Sequence, residues 1–423
     1  MNNKFFGSRQ LQQILKVKEK YEFIKNFISV ETLSGFILFT VTVFAVIIAN
    51  SSYSDFYFDI LKSPISIGFG ESSFSMSTLH WINDVLMAIF FLVVGLEIKR
   101  DMLVGELSSV KKASFPIIAA IGGMIIPAAI YLSLNKEYPT GFGVPMATDI
   151  AFALGILLLL GNRVSMSLKL FLVTLAVVDD LGAIIVVAIF YTSEINYLFF
   201  IHAGITYLLL LLLNYFNVKI LLPYLVLGIF LWIFVHKIGI HSTIAGVLLA
   251  FTIPLKQKNE TDTNNAPLVK LEHALHNFSA FLIMPLFALA NAGVIIDFSS
   301  VIEHKQIVLG VALGLVIGKP IGIFLFTYLA NSLKIATKPT NVTWSEIVAV
   351  GFLGGIGFTM SIFISHLAFS DPSIVSAVKI GIFASSITAA IIGVILILSN
   401  KKEFNSFFIP LSNFRIFYQL IAS

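Results

Sequence analysis

The sequence predicts an all-α polytopic membrane protein with twelve transmembrane helices, and three observations carry that prediction. Only 12% of the residues are charged against 57% hydrophobic, where a soluble domain has roughly 25% charged. Apolar runs of membrane-crossing length recur along the chain. The lysines and arginines alternate from one inter-run segment to the next, as the positive-inside rule demands. Short strands of alternating polarity are not repeated along the chain, so a helical bundle is expected over a barrel.

In chain order the spans are expected at 33–50, 79–98, 115–133, 142–160, 168–191, 197–215, 221–235, 240–255, 275–296, 306–330, 346–367 and 375–399. The seventh and eighth are short, which suits tilted, buried or partly re-entrant segments. One set of segments comprises the N-terminal tail, the loops after even-numbered spans and the C-terminal tail, and it holds 21 of the 27 Lys and Arg. The opposite loops hold Lys62, Lys136, Lys237, Lys305 and Lys379, and Lys319 lies within a span. Both termini are therefore expected in the cytoplasm. The net charge of +4 follows this alternation, and no nucleic-acid partner is expected; the bilayer is the surrounding phase.

The domain organisation follows from the spans. Residues 1–32 form a polar, lysine-rich tail, 33–400 the transmembrane domain, and 401–423 a C-terminal tail of unassigned role. The first tail lacks an apolar region ending in a small-residue cleavage site, so no cleavable signal peptide is expected. Within it, Leu11, Ile14, Leu15, Ile24 and Ile28 fit either an interfacial helix or a solvated tail. The segment ISIGFGESSFSMS, residues 65–77, alternates about Gly70-Glu71 and predicts a small β-hairpin on the outer side. There is no cysteine, which excludes disulfides, thiolate metal sites and thiol nucleophiles.

The chemistry is expected at mid-membrane. In LVTLAVVDDLGAIIVVAIFY, residues 172–191, Asp179 and Asp180 lie side by side in an apolar run. They fall about ten residues past Lys169, near the bilayer centre at roughly 1.5 Å per residue. In the fourth span, GFGVPMATDIAFALG places Asp149 after a Gly141, Gly143, Pro145 series that disfavours a continuous helix. In the tenth, GLVIGKPIGIFLF places Lys319 before Pro320; snorkelling from there to the interface is a long reach. The eleventh, GFLGGIGFTMSIF, carries Gly351, Gly354, Gly355 and Gly357. These glycines fit either close helix packing or an unwound stretch. The fourth and eleventh spans run in opposite directions, each with its weak point at mid-depth, which is the pattern of an inverted repeat with two broken, crossing helices.

Two broken helices meeting at the midplane present two positive N-terminal ends and two negative C-terminal ends. Asp149 suits the former and Lys319 the latter. Asp179 and Asp180 remain, each costing roughly 2.5–3.5 kcal/mol as an ionised group at a helix centre. Protons relieve that cost, and so does a hard monovalent cation held by carboxylate, hydroxyl and carbonyl oxygens. Thr148 offers one such neutral oxygen. The two carboxylates are expected to titrate as one coupled unit. A site that holds protons or a cation in turn is the minimal device for exchange.

At these residues the chain resembles the NhaA family of Na+/H+ antiporters. The resemblance rests on WINDVLMAIFFLVVGLEIKRD (81–101), FPIIAAIGGMIIPAAIY (115–131), PMATDIAFALG (145–155), LAVVDDLGAI (175–184), LEHALHNFSAFLIMPLFALANAG (271–293), IGKPIGI (317–323) and GGIGFTMSIFI (354–364). These motifs run in colinear order over roughly residues 30–400. Inverted repeats with discontinuous helices typify this family, so the repeat expectation and the resemblance are not independent.

The resemblance implies a multi-pass protein of the bacterial cytoplasmic membrane that exports Na+ or Li+ for a larger number of protons, electrogenic and pH-regulated. It is a transporter and no enzyme, and no cofactor is implied beyond the transported Na+, Li+ and H+. Asp179, Asp180 and Thr148 carry over as the ion site, and Asp149 and Lys319 as charges compensating the broken helices; whether Lys319 also pairs with Asp179, and so carries a transported proton, is left open by the resemblance. The family's pH-sensing region maps to Glu97, Arg100 and Asp101, and to Glu272, His273 and His276. Asp101 is shorter than the glutamate usual there. Read alone, His273 and His276 also fit a solvated helix start or half of a metal site lacking its other ligands. Histidine beside glutamate titrates near neutral pH, which suits a sensor. His241 matches a residue that modulates the pH response, or is a loop-end histidine. The hairpin at 65–77 matches the family's homodimer contact.

Two rival functions fit less well. An intramembrane aspartyl protease needs two carboxylates facing across helices. Neighbours on one helix diverge by about 100°, no G-x-G-D segment is present, and Lys319 is left unexplained. A passive channel usually offers rings of carbonyls or acids from several subunits. A related exchanger of other ion preference, or an inactive homologue, is separated poorly by sequence.

Overall fold

The computed structural model describes residues 30, 32–69, 72–192, 195–255 and 266–400. The expected N-terminal interfacial helix and the 401–423 tail lie outside the described residues. Ten helices among the described residues are long and apolar enough to cross a membrane, or eleven where a bent pair is counted as one span. They are α1 (Thr32–Ala49), α2 (Thr78–Leu103), α3 (Val110–Leu134), the Pro139–Leu159 segment containing α4 (Ile150–Leu159), α5 (Met166–Phe190), α6 (Tyr197–Tyr215), α7 (Leu221–Ile238), α9 (Pro267–Asn291), α10 (Lys305–Ser332), the pair α11 (Trp344–Gly354) with α12 (Phe358–Ala368), and α13 (Pro372–Ser399). The eighth expected span holds only α8 (Ile244–Thr252), nine residues long. A crossing helix needs about 20, so α8 does not span by itself.

Local sequence sets the ends of these helices. Ser165 caps α5 by accepting from the Leu168 amide. Thr343 and Glu346 form a capping box at the start of α11. Asp371 caps α13, with Pro372 in its first turn. Gly239 closes α7 in the left-handed region at φ 96°. Between α1 and α2 the expected hairpin is present: β1 (Pro64–Phe69) pairs antiparallel with β2 (Ser72–Ser77), Pro64 opposite Ser77. Trp81 ties it to α2 by donating from Nε1 to the Ile65 carbonyl at 3.1 Å. Its turn residues 70–71 lie outside the described residues.

The faces are those of a protein in lipid. Phe200, Leu208, Ile229 and Ile189 are more than half exposed, whereas the charged residues Asp149, Asp179, Asp180 and Lys319 are buried. A polar interior and an apolar outside are what a bilayer selects. One core joins α2, α3, α5 and α10 to α11, α12 and α13; a second joins α6, α7 and α8 to the start of α9. In the first, α3 and α10 approach so closely that a Cβ on Gly122 would strike the Gly322 carbonyl. Likewise a Cβ on Gly351 of α11 would lie 2.7 Å from Pro320 Cα, so only glycine admits α11 this close to the Lys319-Pro320 turn.

Short α8 ends against α2. Lys99 reaches across and donates to the carbonyls of Phe251 at 2.7 Å and Ile253 at 2.6 Å. It thereby satisfies carbonyls that a helix end leaves open and opposes the negative end of the dipole. Lys99→Met should lower the protein's stability by about 2 kcal/mol, the range for charge-assisted hydrogen bonds, read as a drop in Tm in detergent. An unchanged Tm would show that α8 is held by packing alone.

Candidate functional site

The fourth and eleventh spans are both interrupted, and their interruptions meet. A 3-10 helix, Pro139–Met146, gives way to extended backbone at Ala147 (φ −73°, ψ 148°) and Asp149 (φ −89°, ψ 100°) before α4 begins. Between α11 and α12 the chain unwinds at Gly355–Gly357 and turns by 49°. The Asp149 amide donates to the Ile356 carbonyl at 2.7 Å, so the two unwound strands are bonded to each other. The Thr148 hydroxyl donates to the Gly354 carbonyl at 2.7 Å, and Ser361 to the Val144 carbonyl at 2.8 Å. Hydroxyls thus answer the carbonyl ends of both broken helices.

Asp149 answers the amide ends. One carboxylate oxygen accepts from the Phe152 amide at 3.2 Å, capping α4. The other accepts from the Thr359 amide at 3.0 Å and from the Thr359 hydroxyl, at the start of α12. The Phe358 amide donates to Ser386 of α13 at 3.3 Å. One buried anion therefore faces two positive helix ends. Lys319 donates to Asp179 Oδ2, the pairing that the sequence leaves open. With hydroxyls already on the carbonyls, the full charge of Asp179 is the stronger partner in a low-dielectric interior. The five-residue π-turn Gly314–Gly318 sits immediately before Lys319, and such a turn rotates the next residues of the helix to a new face.

Asp179 and Asp180, 2% and 4% exposed, point different ways from α5. Asp179 is ion-paired with Lys319, and its second oxygen has no hydrogen-bond partner among the described residues. Asp180 lines a cavity of about 70 Å³ shared with Ser34, Glu97, His276 and Ser279. This divergence removes Asp179 with Asp180 as the facing dyad that an aspartyl protease requires; Asp149 with Asp180 is the other pairing such chemistry could use. Toward the hairpin end the site is closed by Phe91, Ile184, Val247, Met360 and Phe363, around a space of only about 10 Å³, the least that admits one water. Phe363 anchors that block, with ring centroids 5.7 Å from Phe91 and 6.2 Å from Phe287. Among the described residues the carboxylates are thus open toward one end of the bundle and closed by a mainly apolar block toward the other.

Residues 25–397 match the family model described as Na+/H+ antiporter 1. The chain belongs to this family. It is 71% identical to the Na(+)/H(+) antiporter NhaA 2 of Aliarcobacter butzleri, over 91% of this chain and 99% of that one. It is 47% identical to the NhaA antiporter of Wolinella succinogenes, over 89% and 94%. The NhaA antiporter of Helicobacter pylori strain HPAG1 is also 47% identical, over 90% and 96%.

For this antiporter-family chain the residues expected in a sensing region are gathered at the end opposite the hairpin. Glu97 of α2 and His276 of α9 meet at 3.2 Å. Arg100 pairs with Glu272 and stands 3.7 Å from Asp101. His273 is exposed on the same helix. Among the described residues no three His, Asp or Glu side chains converge on a resident-metal site. His241 lies away from this cluster. Its Nδ1 is 3.0 Å from Thr243 Oγ1, and its ring packs edge-on against Phe363 at 5.3 Å.

Several participants were not singled out in the sequence. Thr359, Ser361 and Ser386 hold the crossing, yet serines and threonines in apolar spans carry no depth signal of their own. Thr359 was findable, because it follows the glycine run of the eleventh span directly. Lys99 adjoins Arg100 in a charged run at a helix end, where a solvated face is the ordinary reading.

Proposed function

We propose that this chain exchanges cytoplasmic Na+ or Li+ for external protons, moves net charge in each cycle and is regulated by pH. The observation that carries the proposal is Asp180 in a cavity that also takes Glu97, His276, Ser34 and Ser279, beside the Asp179–Lys319 pair, where two interrupted helices cross. Oxygens of Asp179, Asp180 and Thr148 take the cation. Asp149 holds the crossing and is not a cation ligand. In the proton-loaded site Asp180 is protonated and Asp179 pairs with protonated Lys319. An entering cation takes both carboxylates, and one proton leaves Asp180 while a second leaves the released Lys319. Two protons then move against one cation, so each cycle carries net positive charge opposite to the cation.

The lysine pattern supports both termini in the cytoplasm of a bacterium with the hairpin outside, and the site then opens inward. Glu97, Arg100, Asp101, Glu272, His273 and His276 ring the route to Asp180 and make the pH-responsive mouth. His241, packed on the apolar block, modulates that response from the other side. The hairpin serves a homodimer contact, and the two interrupted spans are related by an inverted repeat of twelve segments. The test is an imposed Na+ gradient in proteoliposomes, read with a pH probe and a potential-sensitive dye across pH. Sodium-driven proton movement that builds a potential is the expected result. Cation flux that runs without counter-moving protons would make the protein a channel.

A further inference from the structure

A second cavity has no place in ion exchange. It is a groove of about 670 Å³ at the hairpin end, between α2, α7 and α8. We propose that it seats an acyl chain of an anionic phospholipid from the leaflet on the hairpin side, with the phosphate against Lys237.

Small residues bring the three helices together around the groove: a Cβ on Gly228 would strike the Leu249 side chain, and one on Gly246 the Ala88 carbonyl. Ala88, Gly228, Ala245 and Gly246 line it, with Leu92 and Leu249 beside them. Neighbouring Ile229 and Phe230 of α7 are 60% and 49% exposed, so this wall faces hydrocarbon. An apolar space of that size does not hold water, and in a bilayer the apolar matter beside it is acyl chain.

The mouth of the groove is amphipathic and fixed in place. Trp81 is bonded to the hairpin, and Trp232 donates to the Asp84 carbonyl at 3.4 Å. Tryptophans at this position mark the headgroup level. His236 stacks on Trp232 at 5.6 Å and stands 3.5 Å from the Asp84 carboxylate, so these two groups answer each other. Lys237 comes next, at the end of α7, exposed, with its ammonium 5.1 Å from the Phe199 ring. Its charge stands at the mouth of the groove. A phosphate complements it, and the choline or ethanolamine cation of a zwitterionic headgroup offsets that gain.

Two of the three tryptophans flank this groove, and the third, Trp344, begins α11 at the other end. In a Trp344→Phe background, tryptophan fluorescence therefore reports on the groove. The protein is reconstituted in phosphatidylcholine vesicles with rising fractions of phosphatidylglycerol brominated on its acyl chains, and in the converse mixture. Quenching that saturates at a low fraction of the brominated anionic lipid is expected. Lys237→Gln should raise the half-saturating fraction about fivefold, with sodium-driven proton movement unchanged as the control for folding. Ala88→Leu, which narrows the groove, should lower the maximal quenching. Quenching proportional to the brominated fraction, with one curve for both headgroups, would overturn the proposal. So would quenching that vanishes as the protein-to-lipid ratio rises, because a second copy would then cover the groove.

Discussion

Asp180→Asn is expected to abolish Na+-dependent dequenching of a pH probe in inverted vesicles while leaving folded protein in the membrane. The amide has the shape of the carboxylate but can neither release a proton to an entering cation nor neutralise it. Asp180 lines the cavity and makes no ion pair among the described residues, so the substitution strips function without stranding a partner there. The neutral amide matches the protonated acid of the proton-loaded site in shape and charge, and Tm should hold. Asp179→Asn should abolish exchange too, but for a different structural reason. It leaves the Lys319 ammonium, 1% exposed, buried without its counter-charge, at a cost of about 3–5 kcal/mol. Pairing it with Lys319→Met should recover most of that stability and none of the exchange. Near-normal dequenching in either single variant would remove the carboxylate pair from the transport site.

The outline of this protein was written in its hydrophobic pattern, because a bilayer leaves few ways to satisfy a backbone. Spans of ordinary length fell where expected, and Asp179 and Asp180, counted from Lys169 to the middle of a crossing, fall midway along α5. The glycine run at 351–357 and the Gly-Pro series before Asp149 marked the two breaks, since both disfavour helix regardless of context. What sequence could not fix is which groups face one another. Lys319 pairs with Asp179 rather than with a helix end because hydroxyls from Thr148 and Ser361 already occupy the carbonyls. Those hydroxyls are ordinary residues until the crossing assembles them. The eighth span is a different kind of case. Its hydropathy matched a crossing, yet the helix is nine residues long and ends on Lys99, a contact between positions 152 residues apart.

Asp149→Ala is the change expected to cost most in stability. Its carboxylate takes two backbone amides and one hydroxyl, from Phe152 and Thr359. Alanine leaves both amides buried and unbonded at the positive ends of α4 and α12. Each stranded donor costs about 1–3 kcal/mol, so a loss of about 3–5 kcal/mol is expected, in line with other broken buried charge networks. Asp149→Asn keeps one acceptor and should fall between the two. Exchange should persist at low temperature with weakened cation affinity, because the hydrogen bond from the Asp149 amide to Ile356 survives any side-chain change and still joins the two breaks. Thr359→Val should lower Tm by less, since the Thr359 amide keeps its bond to the carboxylate. Thermal unfolding in detergent, followed beside transport in proteoliposomes, separates the outcomes. Full stability with complete loss of transport in Asp149→Ala would place that carboxylate on the transported ion itself, and the division of labour among the three aspartates would have to be redrawn.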